Sequence, residues 1–164
     1  YAFLTHHHPD HAGGFAYFYK NGATVVTTTL SREYQEELLT GKHSLRNDSI
    51  YYGNDGNFTV VPPEGEQLFA TASAWMQAFE MGENSHTKEF LLYYFPDFKI
   101  LIVGDLFYVG NSGVKASVRA NELYAFIEKK GLKVEKLYST WQPSGKAYAT
   151  LDELKESARL YRER

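Results

Sequence analysis

Short apolar blocks broken by turn residues run the length of this chain, and they predict strands interleaved with helices. Ala23 to Thr28 is rich in β-branched residues and reads as a strand. Phe58 to Val61, Gln67 to Thr71 and Trp75 to Met81 read the same way, and Phe3-Leu4-Thr5 reads as a strand end. The clearest strands are Glu89 to Phe95 and Lys99 to Val103, joined by a Pro96-Asp97 turn. The second of them runs into Gly104-Asp105, and Val134 to Tyr138 predicts a last strand. Helical spacing appears between them. Ala12 to Lys20 suits a short helix closed by Asn21-Gly22, and Ser31 is placed to cap a helix through Leu39, with Gly41 as its stop. Ser117 caps a helix to Lys130 with Leu123, Phe126 and Ile127 on one stripe and Gly131 at its end. Thr150 and Glu153 form a capping box for a closing helix whose Leu151, Leu154, Ala158 and Tyr161 share a face. Residues 42–57 are polar and predict a loop. Strands and helices intermix, so the fold class is α/β or α+β.

Composition narrows this picture. At 164 residues, with 43% hydrophobic and 16% aromatic side chains, the chain is expected to form a single domain, 1–164, around a substantial core. A net charge of −3 supplies no basic footprint for nucleic acid, so none is expected as a partner. No apolar run reaches membrane-spanning length and no signal peptide is visible, so no membrane partner is expected and cytoplasmic and periplasmic locations both stay open. The absence of cysteine excludes disulfides and thiolate ligands. Any metal must be held by nitrogen and oxygen.

The candidate chemistry sits at residues 6–11, His6-His7-His8-Pro9-Asp10-His11, where four of the six histidines and one carboxylate fall together. Imidazole nitrogen and carboxylate oxygen are the ligands that a borderline divalent cation such as zinc prefers. In an extended segment His6 and His8 point to one side, and a turn at Pro9 brings Asp10 and His11 to a second position. That arrangement can hold two metals side by side, and paired metals hydrolyse bonds. A purification tag also leaves adjacent histidines, but tags do not continue into Pro-Asp-His-Ala-Gly-Gly, and a histidine-rich surface loop is the blander alternative. Asp105, at the end of an apolar strand, must be hydrogen-bonded, paired or metal-bound if buried; the alternative is an exposed turn aspartate.

The Thr-His-x-His-x-Asp-His-x-Gly-Gly string at 5–14 resembles the signature of the metallo-β-lactamase fold superfamily. His86-Thr87 ahead of one strand, and Gly104-Asp105 at the end of the next, resemble the family's next two metal motifs. The resemblance implies His6, His8 and His86 on a first metal, Asp10 and His11 on a second, and Asp105 bridging both. It implies one or two zinc ions, with iron or manganese as alternatives. It further implies a metal-bound hydroxide that attacks an ester, thioester, lactam or phosphoester of a small-molecule substrate, with Asp10 orienting the water or shuttling its proton. His7 is no family ligand position and is expected beside the site or in solvent; His43 in the polar loop is given no role. The family usually closes its second site with a histidine after a late strand, in a Gly-His-Gly-like turn. Here Ser139-Thr140-Trp141-Gln142-Pro143 falls on that turn, with Trp141 at the histidine position. Indole offers a metal no lone pair, and Gln142 offers only a carbonyl oxygen. A degenerate, single-metal or non-catalytic member is therefore the alternative function. A di-iron redox member resembles this chain less, because that branch usually carries glutamate where His8 stands. The resemblance implies an αββα sandwich that lacks most of its first half, exposing a sheet edge open to a homo-oligomer or to a completing N-terminal segment. Tyr51, Tyr52, Tyr108, Asn111 and Lys115 flank the expected loops as pocket candidates.

Overall fold

The computed structural model describes residues 1–40, 55–141 and 146–164. Two sheets face each other. The first is wholly parallel, β1 (Ala2–Phe3), β2 (Thr24–Thr27) and β3 (Asn57–Val60) in that order. Between its strands the chain rises through α1 (Pro9–Ala12), α2 (Phe15–Lys20) and α3 (Thr29–Thr40). The second sheet runs β4 (Glu66–Ala70), β5 (Trp75–Glu80), β6 (Leu91–Phe95), β7 (Ile100–Gly104), β8 (Lys136–Ser139) and β9 (Ala149–Thr150). It is antiparallel except where β7 meets β8, and the crossover between those two strands is α4 (Val118–Lys130). The chain closes with α5 (Leu151–Arg162).

Strand alternation divides the core into two layers. On β6, Leu91 and Tyr93 join Val26, Val61, Met76 and Ala78 between the sheets. Leu92 and Tyr94 point the other way, into a cluster with Leu101, Val103, Leu123, Phe126, Ile127 and Leu154 beneath α4 and α5. A strand buried on both faces has no polar period, and the sequence shows none from Phe90 to Phe95. With α2 and α3 on the far side of the parallel sheet, the layers run helix, sheet, sheet, helix. This is the αββα arrangement expected, in a mixed α/β chain.

Several local expectations change. The helix expected over Ala12 to Lys20 is two short helices, parted at Gly13-Gly14. The helix cap is Thr28 rather than Ser31: Thr28 Oγ1 accepts from Ser31 N at 3.3 Å, and Ser31 lies buried inside α3. The strand expected over Val134 to Tyr138 begins at Lys136, and β9 pairs with it unforeseen. The loop at 42–57 lies outside the described residues except for its last three positions, of which Asn57 opens β3. Among the described residues no helix is long and apolar enough to cross a membrane. β1 is an edge strand, and Tyr1, Phe3, Leu68 and Trp75 are exposed along the crevice between the sheets.

Candidate metal centre

Three separate stretches deliver side chains to one point at the ends of the strands. The first is the histidine loop after β1. Leu4 N donates to Val26 O at 3.2 Å, Leu91 N donates to Thr5 O at 2.7 Å, and the Tyr93 hydroxyl donates to Leu4 O. These bonds fix the loop to both sheets just before His6. Pro9 then opens α1, with His8 extended at its N-cap and Asp10 and His11 on its single turn. A Cβ on Gly13 would lie 2.5 Å from Pro9 O, so the turn after His11 closes only around glycine.

The second stretch is the turn before β6. Asn84 Oδ1 accepts from His86 N at 2.9 Å and from Thr87 N at 3.1 Å, which sets His86 on a side-chain-stabilised turn. Ser85 N and Oγ both donate to Glu122 on α4. The third is the end of β7. Gly104 has φ +50°, and a Cβ there would meet Phe90 Cζ at 2.8 Å, so glycine is needed to turn Asp105 inward. Parallel pairing sets the ends of β7 and β8 side by side, and Thr140 Oγ1 donates to Asp105 Oδ1 at 2.7 Å.

The donor atoms converge. One nitrogen or oxygen from each of His6, His8, His86 and Asp105 lies within 4.8 Å of all the others, and so does a set from Asp10, His11 and Asp105. Asp105 faces both sets. Its Oδ2 lies 3.4 Å from His86 Nε2 and 4.0 Å from His6 Nε2, while Oδ1 lies 3.0 Å from His11 Nε2. His6 Nε2 and His86 Nε2 are 3.2 Å apart. A tetrahedral ion with bonds of about 2.0–2.1 Å to nitrogen holds its ligand atoms about 3.3 Å apart, so that separation is the edge of a zinc tetrahedron. His11 Nε2 is buried and makes no aligned hydrogen bond, even to the nearby Asp105. An orphaned ring nitrogen facing a carboxylate is explained by a cation between them. With the His6 Nδ1–H directed to Thr5 Oγ1, 3.0 Å away, Nε2 presents its lone pair to the cluster. The donor set fits a divalent cation.

Electrostatics prepares the same state. Burial, reinforced by His11, His8 and His86, pushes His6 down from 6.5 to about 3. Burial lowers His86 as well, helped by the Arg119 guanidinium and His8. For Asp105, burial favours the neutral acid, but the Thr140 hydrogen bond and the charges of His11, His6 and His86 outweigh it and hold the carboxyl below its ordinary value. At neutral pH, then, His6 and His86 offer free lone pairs and Asp105 an anion, as metal binding requires.

A family model described as the metallo-beta-lactamase superfamily matches residues 1–141. The chain belongs to that superfamily. Solved structures share its fold. A metallo-beta-lactamase from Pontibacter korlensis is 19% identical with a TM-score of 0.65, over 99% of this chain and 68% of that one. The FIM-1 metallo-beta-lactamase from Pseudomonas aeruginosa, in a mono-zinc form, is 17% identical with a TM-score of 0.63, over 99% and 66%. A peroxy diiron species of the chemotaxis sensor ODP is 12% identical with a TM-score of 0.62, over 97% and 68%. The chain thus spans about two thirds of the length of the structures that it matches. No curated protein matches it.

Set against the superfamily motifs, all six expected residues, His6, His8, Asp10, His11, His86 and Asp105, fall in the two donor sets. His7 is exposed and belongs to neither. Trp141 stands beside the second set, its ring 6.3 Å from that of His11 and 54% exposed. His43, Tyr51, Tyr52, Gln142 and Pro143 lie outside the described residues. Tyr108 and Lys115 line a cleft next to Asp105, and Asn111 does not. Sequence reasoning gave no role to Thr5, Asn84, Arg119 or Thr140, although Thr5 opens the 5–14 string, Thr140 lies on the expected late turn, and Asn84-Ser85 is a turn signal just before His86.

Proposed function

We propose that the chain is a metal-dependent hydrolase that holds zinc on His6, His8, His86 and Asp105, with Asp10 and His11 serving a second ion. The observation that carries this reading is the convergence of four donor atoms within 4.8 Å around a 3.2 Å nitrogen–nitrogen edge. A cation bound there supplies Lewis acidity and brings the pKa of water towards about 7. The side chains do the rest. Asp105 divides its oxygens between the two donor sets and keeps them in register. Asp10 Oδ2, 3.4 Å from His11 and half exposed, takes the proton of the attacking water and releases it to solvent. Thr140 holds Asp105 while this happens. The substrate bond is an ester, thioester, lactam or phosphoester.

A second reading is a member with one metal and no turnover. Trp141 favours it, because an indole beside His11 adds no donor to a set that has only three among the described residues. Elemental analysis of the purified protein, after exposure to zinc, manganese or iron in turn, tests both readings. We expect zinc to be retained most tightly; retention of iron instead would move the chain towards the redox branch. Failure to retain any of the three metals would overturn the site assignment. With metal bound, a panel of ester, thioester, lactam and phosphodiester substrates separates hydrolase from binder.

A further inference from the structure

Two acidic side chains are buried among the described residues, Glu80 and Glu89, and they are held differently. Glu89 takes one backbone N–H, that of Leu30. Glu80, the last residue of β5 and only 1% exposed, takes three. Its Oε1 accepts from Gly82 N at 2.9 Å and from Phe90 N at 3.2 Å, and its Oε2 accepts from Glu64 N at 2.6 Å. The carboxylate belongs to neither donor set, so its charge serves the centre, if at all, through other residues.

Gly82 and Phe90 stand at the two ends of the loop that carries Asn84 and His86. One oxygen between their N–H groups closes that loop at its neck, where Met81 N also donates to Phe90 O at 2.9 Å. Phe90 is wholly buried, and its ring stacks on His6 with centroids 4.8 Å apart and planes at 21°. The oxygen that sets the neck therefore also sets the ring lying against a second ligand. The other oxygen holds Glu64, a non-glycine residue at φ +52° on the passage from the parallel sheet to β4. Buried N–H groups are costly to leave unpaired, and a carboxylate, which only accepts, bonds them about twice as strongly as a neutral oxygen. Cohesion of the β5–β6 hairpin does not call for a buried charge, because its ladder from Gln77 to Glu80 already supplies it.

We propose that Glu80 is a positioning residue for the metal centre. Its carboxylate clamps both ends of the loop that presents His86 and, through Phe90, fixes the ring against which His6 is set. Two ligands from separate stretches of the chain thus take their relative placement from one buried group. This rests on the reading of the histidines as a metal centre.

The test uses zinc and cobalt(II) on the full chain, under conditions where circular dichroism shows each variant folded. Glu80→Met keeps the length of the side chain and removes both acceptors. Competition with a chromogenic chelator should show its first zinc equivalent weakened about tenfold or more. Glu80→Gln keeps one carbonyl oxygen, a weaker acceptor than the carboxylate, so its affinity falls by a smaller factor. The d–d bands of bound cobalt(II) report ligand geometry, which a residue that only stabilised the hairpin would leave unchanged. They should shift in Glu80→Met and return towards wild type in Glu80→Gln. Wild-type affinity and wild-type bands in both variants would overturn the proposal. Should Glu80→Met fail to fold, Glu80→Gln decides alone: weaker zinc binding supports the clamp, and unchanged binding overturns it. If wild type binds neither metal, the metal-centre reading fails by itself, and amide hydrogen exchange in the metal-free protein tests the clamp. Faster exchange at the His86 and Thr87 N–H groups of Glu80→Gln, with the Leu137 N–H of β8 as reference, supports it; equal rates overturn it.

Discussion

The two donor sets share Asp105, yet they are built differently. His6, His8 and His86 come from two stretches held by both sheets, and His6 is almost wholly buried. Asp10 and His11 ride on one turn of helix, Asp10 is exposed, and the neighbour across the gap is an indole. One side has four donors scaffolded by Thr5, Asn84 and the strands; the other has three among the described residues and little behind them. The sides differ in donors, three histidines against one, as well as in what supports them, and we expect the buried set to fill first.

The largest break in this comparison is His86→Ala. It should weaken the first metal equivalent by more than the roughly 10–100-fold typical of losing a residue that only supports a ligand, measured by competition with a chromogenic chelator. An unchanged first equivalent would show that the buried set is not the tight one. Next comes Asn84→Ala, which removes the turn that aims His86; affinity for the first equivalent should fall roughly 10–100-fold, with the far-ultraviolet spectrum intact. Trp141→His sharpens the contrast from the other side. It should tighten the second equivalent about tenfold or more and leave the first alone, and no effect would mean that residue 141 does not face the second ion.

The smallest effect concerns the tether behind His6. Burial raises the Tyr93 hydroxyl above its ordinary 10.0, while its hydrogen bond to Leu4 O pulls the other way. A group whose folded pKa is raised stabilises the fold fully below its unfolded value and loses that contribution as pH rises beyond it. Denaturant titrations should therefore show stability falling above about pH 10. Tyr93→Phe should cost about 1 kcal/mol at neutral pH and flatten the alkaline loss. If the alkaline loss persists in Tyr93→Phe, another group titrates there.

Much of the centre was legible because its parts are local or carry strong strand signals. His6, His8, Asp10 and His11 lie within six positions, and Asp105 follows a glycine at the end of an apolar strand. The supports were not legible. Thr140 reaches Asp105 only because β7 and β8 are parallel neighbours, and Arg119 reaches the same residue from α4, 14 positions on. Such contacts depend on tertiary geometry that no local pattern encodes. The division of the first helix was missed because Gly13 looks like a tolerated weak point. Its actual constraint, the approach of Pro9 O, appears only once the turn is formed. Thr28 and Ser31 are equivalent as hydroxyl caps in sequence; in the fold α3 starts at Thr29, so Thr28 takes the cap and Ser31 is buried within the helix.

The chain has no cysteine and hence no covalent cross-link. His6 and His86 are 80 positions apart, and one ion between them would join the parallel sheet to the antiparallel one. Closing so long a loop restricts the unfolded chain, so the ion would act as a removable staple as well as a reagent. Cellular metal supply would then set the lifetime of the fold as well as its chemistry.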